Sequence, residues 1–177
     1  MAALIDISQV LRPALPGWPD EPGFGLPRHA TIAPGCPVNT AELTLSTHAG
    51  THADAPLHYD SAGLDSAASG LDPYIGDCVV LDARHCGAKV TTDDVDWGAI
   101  DAPRVLFRTY ERFPHEAWDS HSKAITAEVI ERLAGLGVVL VGTDSASLDP
   151  QDSKSMDAQH AVRRHDMRIL EGLVLES

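Results

Sequence analysis

The stretch "TAEVIERLAGLGVVLVGTD", residues 126–144, constrains the fold more than any other. Thr126 suits an N-cap, and Ile130, Leu133 and Ala134 fall at i, i+3 and i+4 on one apolar helix face. Gly135 and Gly137 supply the stop. "VVLVGTD" then reads as a strand that begins directly after the helix, the order of an α/β unit. "CVVLDA" and "RVLFRTY" are further apolar runs with the look of buried strands. "SMDAQHAVRRHDM" reads as a second helix, and "RILEGLVLES" as a strand running to the end of the chain. The expected fold class is α/β, or α+β with a mostly β core.

Upstream, "ALIDIS" (Ala3 to Ser8) alternates and reads as a short strand. Pro13, Pro16, Pro19, Pro22 and Pro27 then rule out a helix or a central strand, leaving an irregular loop that displays Trp18. That indole either packs on its own domain or serves a site carried by the loop. "TAELTLST" (Thr40 to Thr47) is the clearest alternating strand. Its odd face would bury Ala41, Leu43 and Leu45, and its even face would present Glu42, Thr44 and Ser46.

A chain of 177 residues is expected to form one domain spanning 1–177. With only 5% aromatic residues, its core must be aliphatic. A formal charge of −13 makes nucleic acid and anionic membrane surfaces poor partners. Cys36, Cys78 and Cys86 are odd in number and lack CxxC spacing, which argues against a disulfide framework and a structural zinc knuckle and favours the cytoplasm. The N-terminus lacks a basic n-region, and "GLGVVLVG" is too short to span a bilayer. There is no GxSxG, GxGxxG or P-loop to support a serine nucleophile elbow or nucleotide binding. "GTDSAS" puts Asp144, Ser145 and Ser147 at a strand end, where a turn and cap is the simpler reading. "DPQDSK" reads as a solvated loop, and Arg163 to His165 as a solvated helix face.

The chemistry is concentrated in "THAGTHADAPLHYD", residues 47–60. Gly50 and Pro56 disfavour a helix there, so the segment is extended or looped. His48, His52, Asp54 and His58 are all even-numbered and would share one face of an extended chain, opposite the apolar odd face upstream. Neutral imidazoles and a carboxylate are ligands for zinc, manganese or iron, and Asp54 has two oxygens with which to bridge two ions. Three histidines exceed the two such a site requires, which leaves one for proton transfer. The alternative is a polar loop whose histidines bond backbone carbonyls. Three histidines and an aspartate of one parity weigh towards a metal or catalytic site.

"STHAGTHADAPLHYD" resembles the HxGTHxDxPxH signature of the cyclase family of metal-dependent hydrolases. "PGWP", "RVLFRTY", "WDS", "LVGTD", "SLDPQDSKSMDA" and "ILEGLVL" also look like segments of that family in the right order. "GWP" and "SLDPQDSKSMDA" point to its formamidase branch. The resemblance implies a swivelling β/β/α domain assembled as a homodimer. It implies hydrolysis of a small-molecule substrate, N-formyl-L-kynurenine, to L-kynurenine and formate in tryptophan breakdown. It also implies two zinc ions per chain, with manganese as the other candidate. His48, His52 and Asp54 match ligands of the first metal, Asp54 and Glu171 touch both, His58 matches the acid/base, and Trp18 matches an aromatic residue of the substrate pocket.

Two departures stand out. The family's further histidine ligand falls where this chain has Gln159, with His160 one place later, about 100° round a helix. Either the register shifts and His160 binds, or the second site is weak or empty, or activity is lost. The resemblance also implies more strand and a last helical segment beyond "EGLVL", whereas this sequence stops at Ser177. A chain lacking that segment would be less stable or would compensate through a subunit contact. Two readings stand beside the formamidase: another cyclase-family amidohydrolase acting on isatin or a cyclic amide, and a catalytically impaired metal-binding homologue.

Overall fold

The computed structural model describes residues 4–176. In chain order, β1 (Arg28–Ala30) and β2 (Thr40–Ala41) form an antiparallel ribbon. There follow β3 (His52–Asp54), β4 (Val79–Asp82), β5 (Lys89–Val90), β6 (Arg104–Arg108), β7 (Ala124–Ile125), α1 (Ala127–Gly135), β8 (Leu140–Thr143), α2 (Asp157–Arg164) and β9 (Arg168–Glu171). The main sheet has the order β3-β9-β8-β6-β4, with β5 and β7 as a separate short parallel pair. Four strands of the main sheet run parallel, and β3 closes one edge antiparallel to β9. The chain is thus mixed α/β with a mostly β core, and α1 starts after Thr126 as its apolar spacing requires.

Both helices pack on one face of this sheet. Val129, Ile130 and Leu133 of α1 and Ala158, Ala161 and Val162 of α2 meet Val105, Phe107, Val141 and Ile169 in one buried cluster. The opposite face gathers Leu106, Leu140, Leu173 and Leu175. Side chains alternate along a strand, so on β9 Ile169 faces the helices, Leu170 faces away, and Glu171 faces the helices again. Across the antiparallel pair, Asp54 lies opposite Ile169 and His52 opposite Glu171. Residues directly opposite share a face. The pairing therefore brings His52, Asp54 and Glu171 together on the helical side, beside the first turn of α2.

Several expectations change. Leu4 to Ser8 is not a strand, and Ala3 lies outside the described residues; the segment is tied instead by the Val174 amide donating to the Ile7 carbonyl at 2.8 Å. The strand expected over Thr40–Thr47 shrinks to Thr40–Ala41, with an isolated bridge between Gly25 and Thr44. Prolines around the ribbon remove the donors that would extend it. Its odd face is not buried: Leu43 is 56% exposed. The C-terminal strand ends at Glu171, because Gly172 turns the chain with φ +63°, and Ser177 lies outside the described residues. Asp149, expected to be solvated, is buried and accepts the Ala158 and Gln159 amides at 3.1 Å each, clamping the start of α2.

Gly172 holds the site's two chain segments together. Its carbonyl accepts from Thr51 Oγ1 at 2.6 Å and from Gln9 Nε2 at 2.9 Å. A Cβ at this position would stand 2.6 Å from the Gly50 carbonyl oxygen, a backbone atom that cannot swing aside. Gly172→Ala should therefore cost about 1–3 kcal/mol, combining left-handed strain with the clash. A chain of this size should lose about 2–4 °C of melting temperature per kcal/mol, read by thermal unfolding. Gly87→Ala, where nothing lies within 4 Å, should stay within about 0.5 kcal/mol.

Candidate metal centre

The segment from His48 to His58 is extended only at β3. His48 sits in the preceding turn, Gly50 has φ +67°, and Pro56–His58 is a short 3₁₀ turn. The four even-numbered side chains still converge, but by folding the chain back on both sides of β3 rather than by simple strand alternation.

His48 Nδ1, His52 Nε2 and Asp54 Oδ1 form a triangle with edges of 3.1, 3.1 and 3.4 Å. Bonds of about 2.0–2.1 Å to a tetrahedral cation place its donors about 3.3 Å apart, so the triangle has the size of one face of such a site. His52 Nε2 is also 3.5 Å from Glu171 Oε2, and His58 Nε2 is 3.9 Å from Asp54 Oδ2. The His52–Asp54–Glu171 and His48–Asp54–His58 groups each offer donor atoms within 4.8 Å of one another.

Asp54 supplies the test of fit. Both of its oxygens are buried, and neither accepts a hydrogen bond, although three imidazoles surround them. Buried carboxylates without donors are rare and costly. The His52 ring explains part of the arrangement: its Nδ1 lies 3.1 Å from the Gly50 carbonyl and donates there, which aims Nε2 at the carboxylates. A divalent cation would satisfy Asp54 and use that Nε2 lone pair, so the donor set fits one.

The charges of the side chains point the same way. Burial opposes a charge on His52, but Asp54 and Glu171 outweigh it and lift its pKa to about 10. The Asp54 contact raises His48, while burial, only partly offset by Asp54, lowers His58. Burial would raise Asp54, yet His48 and His52 hold it far below the carboxylate range. Burial pushes Glu171 up against the pull of His52.

Exposure rises outward through the cluster. The side chains of Asp54 and Glu171 are 1% and 3% exposed, His52 10%, His48 19% and His58 37%. The deep groups are ligand-like, and His58, the most exposed of the cluster, stands where protons can exchange with solvent. Trp18 lies over this opening, its ring 5.2 Å from Trp118 in an edge-on pair. The two indoles line a cleft with Tyr110, Phe113, His48 and His52.

His160 does not join the centre. It is exposed on the far side of α2, in a shallow depression with Tyr59, Asp60 and Arg163. Gln159 instead turns into the cavity lined by His48, His58 and Glu171, so the register of α2 does not shift. Sequence reasoning overlooked Trp118 as a pocket residue. The signal was there, since Trp18 and Trp118 are two of only three tryptophans in a chain poor in aromatic residues.

Residues 5–150 match the family model described as "Putative cyclase". The chain therefore belongs to the cyclase family. The kynurenine formamidase of Sphingopyxis alaskensis is 55% identical over 177 residues, spanning 99% of this chain and 85% of the relative. A solved structure described as a potential metal-dependent hydrolase with cyclase activity superimposes with a TM-score of 0.80 at 23% identity, covering 98% of this chain and 82% of that one. An isatin hydrolase bound to the product analogue thioisatinate also gives a TM-score of 0.80, at 22% identity and 96% and 79% coverage. These structural likenesses establish the shared fold.

The raised His52 pKa has a consequence for chelator-treated protein. A histidine raised from 6.5 to about 10 stabilises the fold fully below pH 6.5 and loses that contribution as pH climbs through about 10. Asp54, held low, stabilises above its ordinary range near 3.8 and loses the effect as pH falls below it. Unfolding free energy of the metal-stripped chain should therefore decline between pH 6.5 and 10, and His52→Gln should flatten that decline in urea titrations.

Proposed function

We propose that this chain is an arylformamidase that hydrolyses N-formyl-L-kynurenine to L-kynurenine and formate, with zinc as the resident metal and manganese as the alternative. The observation that carries the reading is that His48 and His52, of the triangle with Asp54, line an aromatic cleft, while the exposed His58 lines an adjoining cavity that shares Trp18 and His48 with it. The 55% identity to a named kynurenine formamidase over nearly the whole chain supports it.

His48, His52 and Asp54 would hold one ion, and Asp54 and Glu171 would reach a second. When bound, such ions polarise a carbonyl and lower the pKa of a coordinated water towards about 7. The rest of the chemistry belongs to the chain. Trp18 and Trp118 receive the aryl ring and set the formyl group against the deep donors. Burial, though partly opposed by Asp54, keeps the His58 pKa below its usual value, so its ring is neutral near pH 7 and can accept a proton. It takes that proton as water adds to the formyl carbon and returns it to the aniline nitrogen as the C–N bond breaks. Water is consumed, and formate and the free amine leave.

Homodimer assembly belongs to the same reading. It is supported by the apolar side chains left open around the β1–β2 ribbon, Leu26, Ile32, Val38 and Leu43 among them. The three free cysteines suit a reducing cytoplasm, and no described helix is long and apolar enough to cross a membrane. A second reading is favoured by one observation: the isatin hydrolase shares this fold, and a cyclic amide on an aromatic ring would also suit the two indoles.

Formate release from N-formylkynurenine, compared with isatin opening, separates the two. The formamide should be turned over, chelation should abolish turnover, and re-added zinc or manganese should restore it. His58→Ala should lower kcat by about 10²–10⁴ with metal content unchanged. Full turnover by chelated His58→Ala protein, or activity on isatin alone, would sink the proposal.

A further inference from the structure

We infer that Gln159 is itself a metal ligand, and that it makes the two halves of the centre chemically unequal. The inference rests on the metal-centre reading above. One half, His48, His52 and Asp54, is rich in imidazole and suits zinc. The other, Asp54, Glu171 and Gln159, offers only oxygen and suits a harder divalent ion such as manganese(II).

Three observations carry it. Gln159 is 2% exposed, yet its side chain lines the cavity shared by His48, His58 and Glu171. Its Oε1 is buried and has no hydrogen-bond partner. Among the described residues, five buried side-chain polar atoms lack a partner, and three of them are the oxygens of Asp54 and Gln159. The polar atoms without partners are therefore concentrated at this centre.

The backbone holds Gln159 in place for the role. Asp149 accepts the amides of both Ala158 and Gln159, which fixes the first turn of α2. Glu171 Oε1 is engaged by the Leu148 amide at 2.9 Å, leaving Oε2 turned towards His52. His160 points away, so the carboxamide is the one donor this turn of α2 offers the cavity. A neutral amide oxygen is a weaker donor to zinc than imidazole, but it is an ordinary donor to manganese, magnesium or calcium.

A rival role is that Gln159 donates its amide N–H to Asp54, and substitution distinguishes the two. The full chain would be stripped of metal and reloaded with one equivalent of zinc(II) and then excess manganese(II), since zinc outcompetes manganese at most sites when the two are equal. It would then be desalted and counted by mass spectrometry, with manganese(II) followed by electron paramagnetic resonance and folding by circular dichroism. Wild type should carry one zinc and one manganese. Gln159→Leu should keep the zinc and weaken manganese binding by about 10- to 100-fold, the scale on which even supporting residues act at metal sites. Gln159→Glu should tighten manganese, whereas a mere donor role predicts repulsion from Asp54 and weaker binding. Gln159→His should give up its manganese to a second equivalent of zinc(II) at lower zinc than wild type does. A wild type that retains no manganese(II) beside its one zinc, or a Gln159→Leu protein that matches wild type, overturns the inference and leaves the first site standing. Wild type that binds neither ion sinks the metal-centre reading as well.

Discussion

The centre depends on one short antiparallel pairing, His52–Asp54 against Ile169–Glu171. The two segments are far apart in sequence, and their register alone sets which side chains share a face. A slip of one residue would send Glu171 to the side of Leu106 and Leu140 and leave His52 opposite an apolar residue. The register is pinned from both ends. Ile169 must reach the helical cluster, and Gly172 must meet Gly50 closely enough that no Cβ fits between them. The packing core and the chemical centre are thus fixed by the same ladder.

The buried acids of the protein fall into two kinds, and the difference shows where function lies. Asp144 accepts the Thr109 amide and hydroxyl and the Tyr110 amide. Asp149 accepts two amides at the start of α2. Each is saturated by donors on fixed backbone and acts as a staple between loops. Asp54 accepts none, and Glu171 accepts one amide and holds its other oxygen towards His52. A fold that supplies several backbone donors to Asp144 and none to Asp54 has placed the second carboxylate for a different partner.

The α/β order, the helix after Thr126, the buried strands and the cluster of His48, His52, Asp54 and His58 were legible in the sequence. Each is written in local spacing, or in a motif whose chemistry needs those residue types together. Glu171 was reached only through family resemblance, since nothing in "ILEG" says which distant strand it pairs with. The strand read over Thr40–Thr47 was misleading because alternation measures amphipathicity, not burial. Leu43 alternates correctly and still faces outward, as no layer of the described chain covers the ribbon. Parity foretold the convergence of the four polar groups for an incomplete reason: only His52 and Asp54 lie on a strand, and turns at Gly50 and Pro56 bring in the rest. The roles of Asp149 and Gln159 depend on how α2 docks on the sheet, a tertiary fact that local patterns do not record.

The graded exposure of the centre follows from this architecture and orders its chemistry. Strand-borne groups, Asp54, His52 and Glu171, are covered by α2 and the sheet, where the low dielectric strengthens their hold on a cation. Loop-borne groups, His48 and His58, lie further out because turns carry the chain to the surface. Trp18 and Trp118 come from longer loops still and meet edge-on above them. On the proposed reading, a planar aryl amide would meet the indoles at the surface and bring its carbonyl to the deeper donors, with His58 in the adjoining cavity. That arrangement would keep the proton-carrying imidazole beside the leaving nitrogen. On that reading the acid/base role falls to His58, the most exposed of the three histidines.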